Sequence, residues 1–220
     1  MSAITVAAAG AALGVRHAVE ADHLAAVATL VDEGDGRLGS VGASWGLGHS
    51  LPIIVLGLLL VGLGIRVPDA VAAFFEVIVG IVLLGLGARM LWAVSRGTTH
   101  TSHVHGTGLH AHLTLGSLSV GWTHFHLDGE SFLVGLIHGF AGSGALVVLL
   151  VSSAPSVDAA VLFLAAFSLL SIATMTTVSI LWGRTMGTAI SAYLRVLAGL
   201  FGIAVGGVLL FEQAVGFSLL

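Results

Sequence analysis

Five side chains capable of chemistry lie close together near the N-terminus, inside an otherwise apolar stretch from Ala3 to Val31. They are one guanidinium, two carboxylates and two imidazoles: Arg16, His17, Glu20, Asp22 and His23. A charge at the centre of a membrane helix costs about 2.5–3.5 kcal/mol, so this cluster needs pairing, water or a bound cation to offset it. Imidazole and carboxylate are ligands for Ni²⁺, Co²⁺, Zn²⁺ and Fe²⁺, so the cluster predicts a divalent-metal site.

The spacing within this cluster leaves two arrangements open. On a straight helix, His17 and His23 differ by about 9 Å in height, which metal–imidazole bonds of about 2 Å do not span. Either the helix is irregular here, or other helices complete a separate site at each histidine. The non-functional alternative is an Arg16–Glu20 ion pair beside a satisfied histidine, and it leaves Asp22 unexplained.

Two further histidines stand in unusual local sequences. His49 follows Gly48, whose carbonyl cannot receive a hydrogen bond from Pro52, so the free carbonyl and the imidazole would lie side by side. His138 lies in a glycine-rich segment suited to close helix approach. We therefore count both as candidate metal residues, although a routine proline kink and simple packing are the alternatives.

Composition identifies the elements that must position these residues. The chain has 57% hydrophobic and 8% charged residues, a mean hydropathy of +1.09, and no cysteine that could supply a thiolate or a disulfide. Six apolar stretches reach the ~20 residues that a ~30 Å hydrocarbon core requires. They are Ala3–Val31, Leu38–Leu63, Val71–Val94, Ser131–Ser152, Asp158–Trp182 and Thr188–Phe211. The predicted fold is an all-α integral membrane protein with six transmembrane helices.

An internal repeat relates the first three stretches to the last three. The matched segments, at offsets of 121, 122 and 119 residues, are Gly14–Ala18 with Gly135–Gly139, Ala43–Leu47 with Ala165–Leu169, and Ala73–Gly80 with Ala192–Gly199. A unit of three spans is odd, so its copy must be inverted, as in many secondary transporters. We predict one three-helix repeat in residues 1–96 and another in residues 131–220, with His17 and His138 at similar depth.

The segment between the repeats, residues 97–130, contains seven of the eleven histidines. Such a segment indicates weak, exchangeable metal binding, or it serves as a spacer between the repeats. Five of the seven arginines lie on one side of the predicted spans and only Arg66 on the other. The positive-inside rule then predicts that the histidine-rich loop is cytoplasmic and that both termini are outside.

Three of these motifs resemble one known family. The run His17–His23 resembles the His-x4-Asp-His signature of the nickel/cobalt transporter family. Leu47–Ser50 is similar to its second motif, and Gly135–Leu146 to its Gly-x-x-His-Gly-x-Ala-Gly-Ser segment. The resemblance implies a secondary permease for Ni²⁺ or Co²⁺ in which His17, Asp22, His23 and His49 handle the metal.

Two features separate the chain from the longer members of that family. Position 20 is Glu20 where the family usually has aspartate, and the chain is shorter than the eight-span members. We expect it to begin at their second span, as in the shorter members named after urease accessory genes.

The predicted function is therefore non-enzymatic transport of Ni²⁺ or Co²⁺ across the cytoplasmic membrane. The predicted metal residues are His17, Glu20, Asp22, His23, His49 and His138. We expect the metal ion and the lipid bilayer as partners, no nucleic acid and no cofactor. The metal, its direction and the oligomeric state stay open, and an exporter of the same fold is the main alternative. A b-type haem carrier with His17 and His138 as axial ligands, or a membrane metal enzyme, is a weaker one.

Overall fold

A computed structural model describes residues 2–33, 38–63, 69–96, 114–115, 118–119, 128–140, 156–186, 188 and 190–215. These ranges contain seven α-helices and one antiparallel pair of two-residue strands. The helices are α1 (Ala3–Ala18), α2 (Ala21–Glu33), α3 (Leu38–Leu63), α4 (Asp69–Ser95), α5 (Gly129–Gly139), α6 (Val157–Met186) and α7 (Ser191–Val215). The strands are β1 (Thr114–Leu115) and β2 (Leu118–Ser119).

Four of these helices are long and apolar enough to cross a membrane: Leu38–Leu59 in α3, Ala73–Ser95 in α4, and the whole of α6 and α7. They coincide with four of the six predicted spans. The described part of the chain is thus that of a helical, multi-pass membrane protein. Helices α1 and α2 are apolar but shorter than a spanning segment.

The first predicted span, Ala3–Val31, is two helices, so it has the irregular geometry that the spacing of His17 and His23 left open. The backbone N–H of Val19 donates to the carbonyl of Arg16 at 3.2 Å, and that of Glu20 donates to the carbonyl of His17 at 3.1 Å. These bonds to the third preceding residue close a tight turn at the end of α1. The N–H of Leu24 then donates to the Glu20 carbonyl at 3.0 Å, and α2 begins.

Two other predictions fall partly or wholly outside the described residues. The fourth predicted span, Ser131–Ser152, is helical as far as Gly139, and residues 141–155 are not described. Only a few positions of the histidine-rich segment 97–130 are described, so its metal binding and its side of the membrane stay predictions.

Helices from the two halves of the chain pack in pairs. Helix α4 packs along α7, α1 along α6, and α3 against both α5 and α6. Between α4 and α7, a Cβ on Gly87 would lie 2.6 Å from the Gly199 carbonyl oxygen, and one on Gly206 would lie 2.7 Å from that of Gly80. These glycines therefore allow the two backbones to approach closely.

Helix α2 lies in the middle of these pairs and contacts α3, α4, α6 and α7. Its Ala25, Ala26 and Val27 are almost completely buried. The Trp182 indole N–H of α6 donates to the Ala28 carbonyl at 3.1 Å. Because α2 is held on several sides, the residues at its start have fixed positions relative to α3.

Candidate metal centre

Four imidazoles from four different helices meet in the interior. His17 ends α1, His23 begins α2, His49 lies in the middle of α3 and His138 lies near the end of α5. None is more than 4% exposed. Burying so many polar rings is unfavourable unless their nitrogens find partners or a cation.

The turn between α1 and α2 brings the first two histidines together. The ring centroids of His17 and His23 are 4.3 Å apart, whereas a continuous helix would separate the residues by about 9 Å along its axis. Of the two arrangements that the sequence leaves open, the irregular helix is the one observed. Other helices also contribute, since His49 and His138 complete the cluster.

Three ring nitrogens converge on one point. The Nε2 atom of His49 lies 2.9 Å from Nε2 of His17 and 3.3 Å from Nε2 of His23. Each of the three residues has a ligand atom within 4.8 Å of the others. Ligands at about 2.0 Å from a tetrahedral metal lie about 3.3 Å from one another. Both distances from Nε2 of His49 are thus close to the spacing of metal ligands.

Carboxylates hold the outer nitrogens of two of these rings. Nδ1 of His17 lies 2.9 Å from Oε2 of Glu20, and Nδ1 of His23 lies 2.8 Å from Oδ1 of Asp22. An ionised carboxylate only accepts hydrogen bonds, so each Nδ1 is the donor. Each Nε2 then presents its lone pair inward, as in the carboxylate–histidine–metal arrangement.

His138 reaches the cluster through the same aspartate. Its Nε2 donates to Oδ2 of Asp22 at 2.9 Å, while Oδ1 of Asp22 also accepts the backbone N–H of His23 at 2.9 Å. Asp22, His23 and His138 form a second group with ligand atoms within 4.8 Å of one another. His23 belongs to both groups because its two nitrogens face different ways.

Trp45 forms a wall of the site that the sequence analysis missed. It is fully buried and stacks on His49 with ring centroids 5.5 Å apart and planes 15° apart. The signal was its position four residues before His49, which puts both rings on one face of α3. Phe167 similarly lies against His17, at a centroid distance of 5.3 Å.

Two glycines of α5 explain how His138 comes so near to His49. A Cβ on Gly139 would overlap the carbonyl oxygen of His49, and one on Gly135 would lie 3.0 Å from the backbone nitrogen of His49. Helix α5 can therefore approach α3 at His49 only because both positions lack a side chain. Helix α3 itself continues through Pro52, so the proline does not end the helix as a broken helix would require.

All six predicted metal residues lie in or beside this centre. His17, His23 and His49 form the group of three imidazoles, and Asp22 and His138 extend it. Glu20 lies at its edge, with 37% of its side chain exposed. In the weaker alternative of haem ligation, His17 and His138 would both bind the iron; here Nε2 of His17 lies against His49 and Nε2 of His138 donates to Asp22.

Nε1 of Trp45 and Nδ1 of His49 are buried and have no hydrogen-bond partner among the described residues. For His49, this means that no carboxylate of the described residues fixes which ring nitrogen carries the proton. The Nε2 of His49, between two inward lone pairs, is therefore free to donate its proton to one of them or to bind a cation.

No protein-family model matches the chain, and no solved structure matches it. It is similar to the urease accessory protein UreH of Bacillus sp. (strain TB-90), with 26% identity over 147 residues. The match covers 66% of this chain and 61% of that protein, so it spans less than two thirds of the relative's length.

Proposed function

We propose that this protein is a permease that moves a divalent transition metal ion, Ni²⁺ or Co²⁺, across the cytoplasmic membrane. The transported ion binds to Nε2 of His17, His23 and His49. The observation that carries the proposal is the close approach of these buried nitrogens on helices of a multi-pass membrane protein, with Nε2 of His49 at 2.9 Å from that of His17 and 3.3 Å from that of His23.

The donor set favours a borderline transition metal. Imidazole nitrogen suits Ni²⁺, Co²⁺, Zn²⁺ and Fe²⁺, whereas Mg²⁺ and Ca²⁺ prefer oxygen ligands and Cu⁺ prefers sulfur. The chain contains no cysteine. The resemblance of its motifs to the nickel/cobalt transporter family narrows the proposal to Ni²⁺ or Co²⁺, and the name of its relative agrees with the shorter, urease-accessory type of member.

The surroundings of the site favour transport rather than catalysis. Ionisable groups among membrane helices commonly mark an ion pathway. Here fully buried imidazoles adjoin two carboxylates that are partly exposed, Glu20 at 37% and Asp22 at 22%. This decrease in exposure from the carboxylates to the imidazoles gives a cation a route from an accessible carboxylate to a buried set of nitrogen ligands.

Inverted repeats are part of the proposal, and the glycine contacts between α4 and α7 support them. At the offset of 119 residues, Gly80 matches Gly199 and Gly87 matches Gly206. A two-fold axis that relates the repeats would therefore map the Gly80–Gly206 contact onto the Gly199–Gly87 contact. Both contacts are present.

A second pair of contacts follows the same symmetry. A Cβ on Gly14 would overlap the carbonyl oxygen of Phe167, and one on Gly135 would overlap that of Trp45. Gly14 matches Gly135 and Trp45 matches Phe167 in the repeat alignment. Two repeats related in this way can expose a central site to either side by rocking against each other.

Orientation and driving force complete the proposal. With both termini outside and segment 97–130 in the cytoplasm, a negative-inside potential favours entry of the metal. One elementary charge moving through 100 mV gains about 2.3 kcal/mol, and a divalent ion gains about twice that. Export by the same fold is the alternative, and the direction of flux distinguishes the two.

The test is radioactive ⁶³Ni or ⁵⁷Co uptake into proteoliposomes under an imposed potential of either sign. We expect uptake driven by a negative interior, and loss of uptake in His49→Ala. Thr177→Ala is the matched control, because within the described part of the chain this exposed hydroxyl bonds only to the Ala173 carbonyl of its own helix. Uptake in His49→Ala equal to that of the unchanged protein would refute the proposed site.

A further inference from the structure

We infer that Asp22 is a positioning residue and not a ligand: its single carboxylate holds His23 of its own helix and His138 of α5, and the ion is bound by imidazole nitrogens alone. This inference rests on the proposed function and deepens it. It divides the six polar residues of the site into three ligands and three supporting groups.

The hydrogen bonds of Asp22 occupy both of its oxygens. Oδ1 accepts the backbone N–H of His23 at 2.9 Å and its Nδ1–H at 2.8 Å, and Oδ2 accepts Nε2–H of His138 at 2.9 Å. Three N–H donors therefore fill three of the roughly four acceptor sites of the carboxylate, and only Oδ2 keeps a site that is not used. A metal bound directly to Asp22 would be confined to that site, next to the Nε2–H of His138.

The position of Asp22 also separates it from the converging nitrogens. It is bonded to Nδ1 of His23, whereas the nitrogen that faces His49 is Nε2 of the same ring. The two nitrogens of an imidazole direct their lone pairs or protons away from each other. Asp22 therefore lies behind His23 as seen from the three Nε2 atoms.

Glu20 repeats the arrangement on His17. Its Oε2 holds Nδ1 of His17 at 2.9 Å, while Nε2 of His17 faces His49 at 2.9 Å. Two of the three imidazoles thus have a carboxylate on the outer nitrogen. That regularity is expected if carboxylates orient the rings and raise their basicity, and not if they bind the ion themselves.

His138 then acts on the site indirectly, through Asp22. Its Nε2 is engaged by Asp22, so it supports the site by fixing the carboxylate that fixes His23. In this role it connects α5, in the second half of the chain, to the ligand set on α1, α2 and α3. The opposing interpretation is a second ion held by Asp22, His23 and His138, whose ligand atoms also lie within 4.8 Å of one another.

The experiment is cobalt X-ray absorption on the full-length protein purified in detergent and loaded with Co²⁺. For the unchanged protein we expect one Co²⁺ per chain, three imidazoles and the remaining coordination from water. For Asp22→Asn and His138→Ala we expect the same three imidazoles with about 10–100-fold weaker Co²⁺ binding, the cost of losing an outer partner. For His49→Ala we expect two imidazoles.

If a variant does not fold, the spectrum of the unchanged protein alone tests whether Asp22 is a ligand. A carboxylate bound directly to Co²⁺, or two Co²⁺ ions per chain, would overturn the inference while leaving the permease proposal standing. Loss of one oxygen ligand in Asp22→Asn, with all three imidazoles kept, would also overturn it. Failure of the unchanged protein to bind Co²⁺ or Ni²⁺ at all would instead refute the proposed function.

Discussion

Nε2 of His17 lies 2.9 Å from Nε2 of His49, although the two residues are 32 positions apart in the chain. Two imidazole nitrogens at this distance cannot both present lone pairs to each other without something positive between them. Because Glu20 accepts the Nδ1–H of His17, the lone pair of His17 points inward, and the positive group is either the N–H of His49 or a cation. The same reasoning applies to His23 at 3.3 Å.

His49 is therefore the residue whose loss should damage metal binding most. Its Nε2 contacts the Nε2 of both His17 and His23. We expect His49→Ala to weaken Co²⁺ binding by more than the roughly 10–100-fold that loss of an outer partner costs. Isothermal titration calorimetry of the protein in detergent measures this, with Thr177→Ala as the control. Equal affinities in the two variants would contradict the central position of His49.

Glu20→Gln should weaken metal binding without changing the number of ligands. The amide keeps an oxygen that accepts the His17 Nδ1–H. It removes the negative charge that raises the basicity of the imidazole and makes Nε2 a stronger metal ligand. We expect an affinity about 10–100-fold lower. Glu130→Gln is the matched control, since Glu130 is 53% exposed and pairs with Arg89 at 2.8 Å. If Glu130→Gln lowers the affinity equally, the effect comes from overall charge and not from the bond to His17.

Gly139→Ala should disturb both stability and metal binding. A methyl group there meets the backbone of His49, which cannot rotate away as a side chain can. Overpacking of this kind costs about 1–3 kcal/mol, and it moves the neighbouring His138. The matched control is Gly85→Ala, because a Cβ on Gly85 meets no atom of the described residues within 4 Å. Thermal unfolding in detergent should show a lower midpoint for Gly139→Ala alone, because alanine in place of a helical glycine is otherwise favourable. An equal decrease in Gly85→Ala would show that the contact with His49 is not the cause.

The long helices could be predicted from the sequence because the hydrocarbon core of a membrane requires a long apolar segment. A span must be apolar for about 20 residues, so the predicted stretch Leu38–Leu63 coincides with α3. Predicted Val71–Val94 corresponds to Asp69–Ser95 in α4. The polar residues of the site could be identified for the same reason, since buried charge is costly and uncommon in such helices.

The break between α1 and α2 could not be predicted in this way. Neither Val19 nor Glu20 is a glycine or proline that would mark the end of a helix. The turn depends on two backbone bonds to the third preceding residue and on burial of α2 between other helices. The pairing of Asp22 with His138 is likewise a tertiary contact across 116 positions, which no local spacing encodes.

The absence of cysteine allows a direct test of the predicted orientation. Any introduced cysteine is the only thiol in the chain, so an impermeant maleimide reports one position at a time. Ser2 caps the start of α1 and Ser95 ends α4, and both are exposed. With both termini outside, Ser2→Cys should react in intact cells, whereas Ser95→Cys should react only after the membrane is permeabilised. The reverse pattern would invert the orientation drawn from the arginines. A potential that is negative inside would still favour import, but the ion would then approach the site from the opposite end of the fold.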